Sequence, residues 1–288
     1  MKKKIKMFII SMVIFASAMA YHAYTAGYML TSAPIITDTR TEVELPILMY
    51  HGITEDASKV NEYTILAKDF EADLVWLKDN GYTSVSTSQL VDYVENGSPL
   101  PAKPVLITFD DGYKNNYTIA FELLKKYNSK ALISIIGMES DISSKATASN
   151  SNLTGYLSWD EISSLSSSDN IEFGNHTYAL HFNNGGRKGA DKIPSETQEQ
   201  YAKVLSDDLT LNQSKLYEAA GYNPVAFAWP YGAYPMDGSA NEILKNLGFK
   251  LTLTSYQIKN TIKQGDSDSL FGLKRFLRTP DFDMNKII

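Results

Sequence analysis

Beyond residue 45 the chain alternates two kinds of apolar pattern. Short apolar runs fall at Pro46 to Tyr50, Thr83 to Ser86, Val105 to Phe109, Ala131 to Ile136, Ile171 to Gly174, Val225 to Trp229, Lys250 to Thr254 and Leu273 to Leu277. Most lack the alternation of a strand with one wet face, which predicts a parallel sheet covered on both sides. Helical spacing intervenes between them. Phe70, Leu74 and Leu77 recur on one helix face, and Gly81 follows as a C-terminal cap. Ser195 to Gln198 reads as a capping box opening a long helix whose buried stripe includes Tyr201, Leu205, Leu209 and Leu216. This β/α rhythm runs on with no internal linker, so it predicts a single α/β barrel rather than two domains.

Two stretches interrupt the rhythm. Ser140 to Asn152 is rich in Ser, Asn and Asp, and Asn183 to Lys192 is Gly-rich and basic. Both follow strands, so they read either as solvated padding or as loops on the barrel rim that carries active sites. The N-terminus differs in kind. Lys2-Lys3-Lys4-Ile5-Lys6 precedes an apolar run from Met7 to Ala20, so residues 1–30 read as a signal peptide or an N-terminal membrane anchor. Residues 31–44 then read as a tether and 45–288 as the domain, which works outside the cytoplasmic membrane. The formal net charge of -6 argues against a nucleic-acid partner, and protein partners are not indicated. Cysteine is absent, which removes disulfides, thiolate metal sites and Cys nucleophiles. Of four histidines, His22 belongs to the leader.

The remaining three all follow predicted strands. Thr108-Phe109-Asp110-Asp111-Gly112 ends one such strand. Two adjacent carboxylates at a buried strand end repel each other unless a cation is near, although Asp-Asp-Gly also suits a simple turn capping the next helix. His176 and His181 lie in Asn175-His176-Thr177-Tyr178-Ala179-Leu180-His181. On a regular helix they would be about 140° apart, so they converge only from an irregular loop. With a carboxylate they would make a three-ligand site with open positions for water, suited to Zn, Co, Ni or Fe. His51 suits a general acid or a packed histidine. Phe227 to Gly232, with Trp229, Pro230 and Tyr231, could offer an aromatic face to a sugar and a backbone N–H to an oxyanion.

In combination, TFDDG, the His pair opening with His-Thr and the Pro-Tyr-Gly turn resemble the polysaccharide deacetylase (NodB-like) family of carbohydrate esterases, over roughly residues 45 to 260. Leu48-Met49-Tyr50-His51-Gly52-Ile53 and the His spacing are most similar to the branch that deacetylates poly-β-1,6-N-acetylglucosamine. The resemblance implies a deformed (β/α)7 barrel forming one catalytic domain. It implies metal-dependent hydrolytic N-deacetylation of an extracellular N-acetylglucosamine polymer, with Asp110 as base, Asp111, His176 and His181 holding one divalent metal ion, and His51 as acid. The backbone N–H of Tyr231 would join the metal at the oxyanion. Peptidoglycan is the alternative substrate, and a catalytically silent carbohydrate-binding envelope protein the alternative class. Many family members carry an Arg where Trp229 stands, which leaves Arg275 or Arg278 to orient Asp110.

Overall fold

The computed structural model describes residues 41–148 and 155–287. They belong to the compact unit Arg40–Ile288. The leader, His22 and the tether up to residue 40 lie outside the described residues. Among the described residues no helix is long and apolar enough to cross a membrane.

All eight apolar runs form strands, here β1 (Ile47–Tyr50), β2 (Thr83–Ser84), β3 (Pro104–Phe109), β4 (Ala131–Ile135), β5 (Ile171–Asn175), β6 (Ala226–Ala228), β7 (Leu251–Leu253) and β8 (Phe276–Leu277). They pair in parallel in the order β7-β6-β5-β4-β3-β1-β8, with β2 alongside the start of β3. A parallel bridge from Leu253 to Leu273, just before β8, carries the sheet round towards closure. The result is the expected deformed (β/α) barrel. The helices that matter below are α1 (Ala67–Asp79), α2 (Thr87–Asn96) and α3 (Phe121–Lys126), then α4 (Gly137–Ala148), α5 (Trp159–Leu165), α6 (Gln198–Ala220) and α7 (Asn241–Asn246).

Strand periodicity divides the core, because successive side chains point to opposite faces. Val105, Ile107 and Phe109 pack with Phe70, Leu74 and Leu77 of α1. Leu106 instead joins Ile47, Leu132, Ala226, Ala228, Leu251 and Leu253, with Leu90 and Tyr93 of α2 packed against the same cluster. The N-terminus of α2 receives the Glu172 carboxylate of β5, which accepts from the backbone N–H of Thr87 at 2.6 Å. A negative charge at a helix start complements its free N–H groups.

Three expectations shift. Glu42–Leu45 forms an antiparallel pair with Asn260–Lys263, so the end of the tether segment is ordered strand. The polar stretch from Ser140 begins inside α4; its N-terminal N–H groups on Gly137 and Met138 donate to the carbonyls of Thr177 and Tyr178 at 3.1 and 3.0 Å, so tertiary bonds start a helix that composition disfavours. The capping box lies at Thr197 and Gln200 rather than Ser195 and Gln198, because the helix begins at Gln198: Thr197 Oγ1 accepts from the N–H of Gln200 and Gln200 Oε1 from the N–H of Thr197.

Candidate active site and metal centre

The parity that turns Leu106 away from α1 also turns Thr108 and Asp110 that way, at the C-terminal end of β3. Asp110 is buried, and its backbone N–H donates to the Tyr50 carbonyl at 3.0 Å. Both carboxylate oxygens accept from Arg275, each at 2.7 Å. Arg275 is itself fully buried and fixed by its Nε–H to the Thr254 carbonyl at 2.7 Å. Burial pushes the Asp110 carboxyl up, but the Arg275 guanidinium together with His176 and His51 outweighs it and holds the group below the usual carboxylate range. Arg278, three residues further and so on the opposite face, forks onto Asp73 of α1 at 2.7 and 3.0 Å. Tyr50 donates to the same carboxylate. Of the two arginines expected to orient Asp110, only Arg275 reaches it.

Asp111 follows with φ 72° and Gly112 with φ 75°, so the chain reverses sharply. A side chain at Gly112 would meet Ile135 Cδ1 at 2.7 Å, which accounts for glycine there. The turn presents Asp111 Oδ1 to His176 Nε2 at 3.4 Å and His181 Nε2 at 3.3 Å. His176 Nδ1 lies 2.8 Å from the Ala228 carbonyl, so that nitrogen carries the proton and leaves Nε2 free as a donor to a metal. The loop between the histidines is irregular, with Thr177 at φ 71°.

These three residues fit a divalent cation. Their ligand atoms lie within 4.8 Å of one another. Two ligands each about 2.0–2.1 Å from a tetrahedral zinc are about 3.3 Å apart, close to the observed separations. The electrostatics agree. Burial pushes Asp111 up, yet the two imidazoles hold it well below the ordinary range, while burial pushes His176 down and the two aspartates carry it above its ordinary value. Both shifts express the same demand for positive charge between these groups.

A cleft of about 460 Å³ opens above this floor, with His51 on one side and Tyr63, Tyr113 and Tyr231 among its walls. Asn61, Ser255 and Gln257 add polar groups. His51 has a buried Nδ1 without a hydrogen-bond partner, and burial holds its pKa below the usual value despite the nearby aspartates. Its ring meets Tyr63 edge-on at 5.0 Å. Tyrosines that are apolar in body and polar at the tip suit a sugar, which has both kinds of face. Tyr63, Tyr113, Asn61, Ser255 and Gln257 were not expected from sequence: each is a lone residue in a loop, with no spacing to mark it.

The aromatic turn divides differently from expectation. Tyr231, at φ 58°, is 43% exposed and lies over His181 with ring centroids 4.7 Å apart. Trp229 shares the parity of Phe227 and packs on it at 4.7 Å, 1% exposed, so it belongs to the core and offers no sugar face. Pro230 is also buried and does not line the cleft. The hairpin Asn183–Asn184 with Arg187–Lys188 leads to Gly189, where a Cβ would stand 2.7 Å from the Pro230 carbonyl oxygen. At φ 59° a side chain is also strained. Gly189→Ala is therefore expected to destabilise the protein by about 1–3 kcal/mol in urea unfolding; an unchanged midpoint would refute this support of the Tyr231 turn.

A barrel that brings paired carboxylates, imidazoles and a fixed guanidinium to the C-terminal ends of its strands defines a hydrolytic class of enzyme. The chain belongs to the polysaccharide deacetylase family, whose sequence profile matches residues 97–252. That span holds Asp110, Asp111, His176, His181 and Tyr231, while His51 and Arg275 lie outside it. The chain is 26% identical over 224 residues to the poly-beta-1,6-N-acetyl-D-glucosamine N-deacetylase of Escherichia coli (strain K12), covering 72% of this chain and 33% of that protein. It thus spans about a third of the length of that curated relative. Among solved structures it resembles a de-N-acetylase from Aggregatibacter actinomycetemcomitans, with TM-score 0.72 and 27% identity over 85% of this chain and 98% of that one. It also resembles IcaB from Ammonifex degensii, with TM-score 0.67 and 28% identity over 83% and 93%.

Proposed function

We propose that this chain is a metal-dependent N-deacetylase of an N-acetylglucosamine polymer outside the cytoplasmic membrane, with poly-β-1,6-N-acetylglucosamine as the favoured substrate. The observation that carries the proposal is the meeting of Asp111, His176 and His181 beside the Asp110–Arg275 pair in one cleft. The names of the relatives favour the β-1,6-linked polymer over peptidoglycan, and the leader favours export.

Asp111, His176 and His181 would hold a divalent cation, which would supply Lewis acidity for the attacking water and the acetamide carbonyl. Asp110 accepts the proton of the attacking water, and Arg275 keeps that carboxylate ionised and aimed. The backbone N–H of Tyr231 would help to hold the oxyanion. His51 gives a proton to the leaving amine, without which the C–N bond breaks poorly. The reaction consumes water and yields acetate and a free amine on the sugar.

Purified protein is expected to release acetate from poly-β-1,6-N-acetylglucosamine when supplied with Zn, Co, Ni or Fe, and to stop when a chelator strips the metal. Faster release from peptidoglycan would move the substrate assignment. Tight glycan binding with no acetate under any of these metals would make the chain a binding protein and sink the enzymatic reading.

A further inference from the structure

The long helix α6 breaks its own pattern beside the metal centre. Tyr201, Leu205, Leu209 and Leu216 form its buried apolar stripe, but Asn212 sits within that stripe fully buried, and Asp208 lies one turn earlier. Polar groups at packed positions cost stability unless hydrogen bonds compensate them, so their partners show what they are there to hold. We propose that Asp208 and Asn212 are positioning residues that set the reach between His176 and His181. The proposal rests on the reading of those histidines as metal ligands.

The geometry explains how a five-residue spacing closes on one point. After His176 the chain turns at Thr177, and the backbone N–H groups that follow are left without a helix or sheet to receive them. The Asp208 carboxylate collects them. It accepts from the N–H of Tyr178 at 2.7 Å on one oxygen and of Ala179 at 2.8 Å on the other. Both residues that follow Thr177 are therefore tied to one side chain on the way to His181. A carboxylate bonding successive backbone N–H groups fixes a loop as a bound anion would.

Asn212 holds the other end. Its Nδ2 lies 2.9 Å from the Ile135 carbonyl, 3.0 Å from Asn175 Oδ1 and 3.0 Å from the Thr177 carbonyl. It thus ties the ends of β4 and β5 to the left-handed residue between the histidines. Its seat is tight: a Cβ on Gly137 would fall 2.3 Å from Asn212 Oδ1. Asn175 returns the contact, donating to the Leu209 carbonyl at 3.1 Å. A single helix turn thereby grips the histidine loop at both ends through backbone and Asn175 contacts.

The test reads metal affinity and coordination rather than turnover. Full-length protein is stripped with a chelator and titrated with Co²⁺, following its visible absorption and a competing chelator, for the parent, Asp208→Asn, Asp208→Glu and Asn212→Leu. Asp208→Asn and Asn212→Leu are expected to weaken Co²⁺ binding about 10–100-fold and to alter the absorption band, with Asp208→Glu recovering part of the loss. Melting of the metal-free proteins separates this from a purely structural role, which would lower the melting temperature and leave affinity intact. If Asn212→Leu does not fold, Asp208→Asn decides alone. Affinity of Asp208→Asn within threefold of the parent overturns the proposal. Failure of the parent itself to bind Co²⁺ overturns the metal centre as well, so the two failures are distinct.

Discussion

Asp110→Asn is expected to slow acetate release about 10²–10⁴-fold while leaving metal content unchanged. The carboxamide keeps the shape of the side chain and can still accept from Arg275, but it cannot take a proton from water. Asp110 is not one of the three convergent ligand atoms, so a metal assay should separate it from Asp111→Asn, which is expected to lose metal and activity together. Residual activity within tenfold of the parent would remove Asp110 as the base. Loss of metal from Asp110→Asn would mean that the two adjacent aspartates do not divide their roles in this way.

Arg275→Met is expected to act on both stability and rate. It strands the buried Asp110 carboxylate, and breaking a buried pair by removing one partner costs about 3–5 kcal/mol. The sign of its pH dependence follows from the direction of the shift. Because the folded pKa of Asp110 is depressed, the stability it contributes is present above the ordinary carboxylate value of about 4 and is lost as pH falls through the lower folded value. The gap in unfolding free energy between parent and Arg275→Met should thus be full at neutral pH and shrink in acid. In kinetics, Asp110 without its arginine is pushed up by burial, so the acid limb of kcat/KM should move to higher pH. A limb that stays in place would mean that Arg275 is structural only.

Much of this architecture is legible in the chain because strands buried on both faces end where polar chemistry begins. Phe109 gives way to Asp110, Asn175 to His176 and Tyr50 to His51, so a reader of apolar runs also finds the rim. The chain alone leaves two arginines as partners for Asp110. Choosing between Arg275 and Arg278 needs the face each one occupies, and β8 is too short for its alternation to declare that. Trp229 misleads for a related reason: its neighbours Pro230, Tyr231 and Gly232 suggest an exposed turn, while strand parity commits the indole to the core. α4 was hidden because its start is held by carbonyls of the histidine loop, far away in sequence. Tyr63 and Gln257 reach the cleft through folding alone.

Among the described residues, four that are not glycine adopt positive φ, and Asp111, Thr177 and Tyr231 of the four stand at this one site. An engineer seeking heat tolerance would choose such positions first, since glycine relieves a left-handed backbone without disturbing its path. Here each exchange would delete a donor, slacken the link between two imidazoles or strip an aromatic from the cleft. Resistance to heat and turnover should therefore trade against each other at these three positions, while Asn128, the fourth, is open to the same exchange at no cost to chemistry.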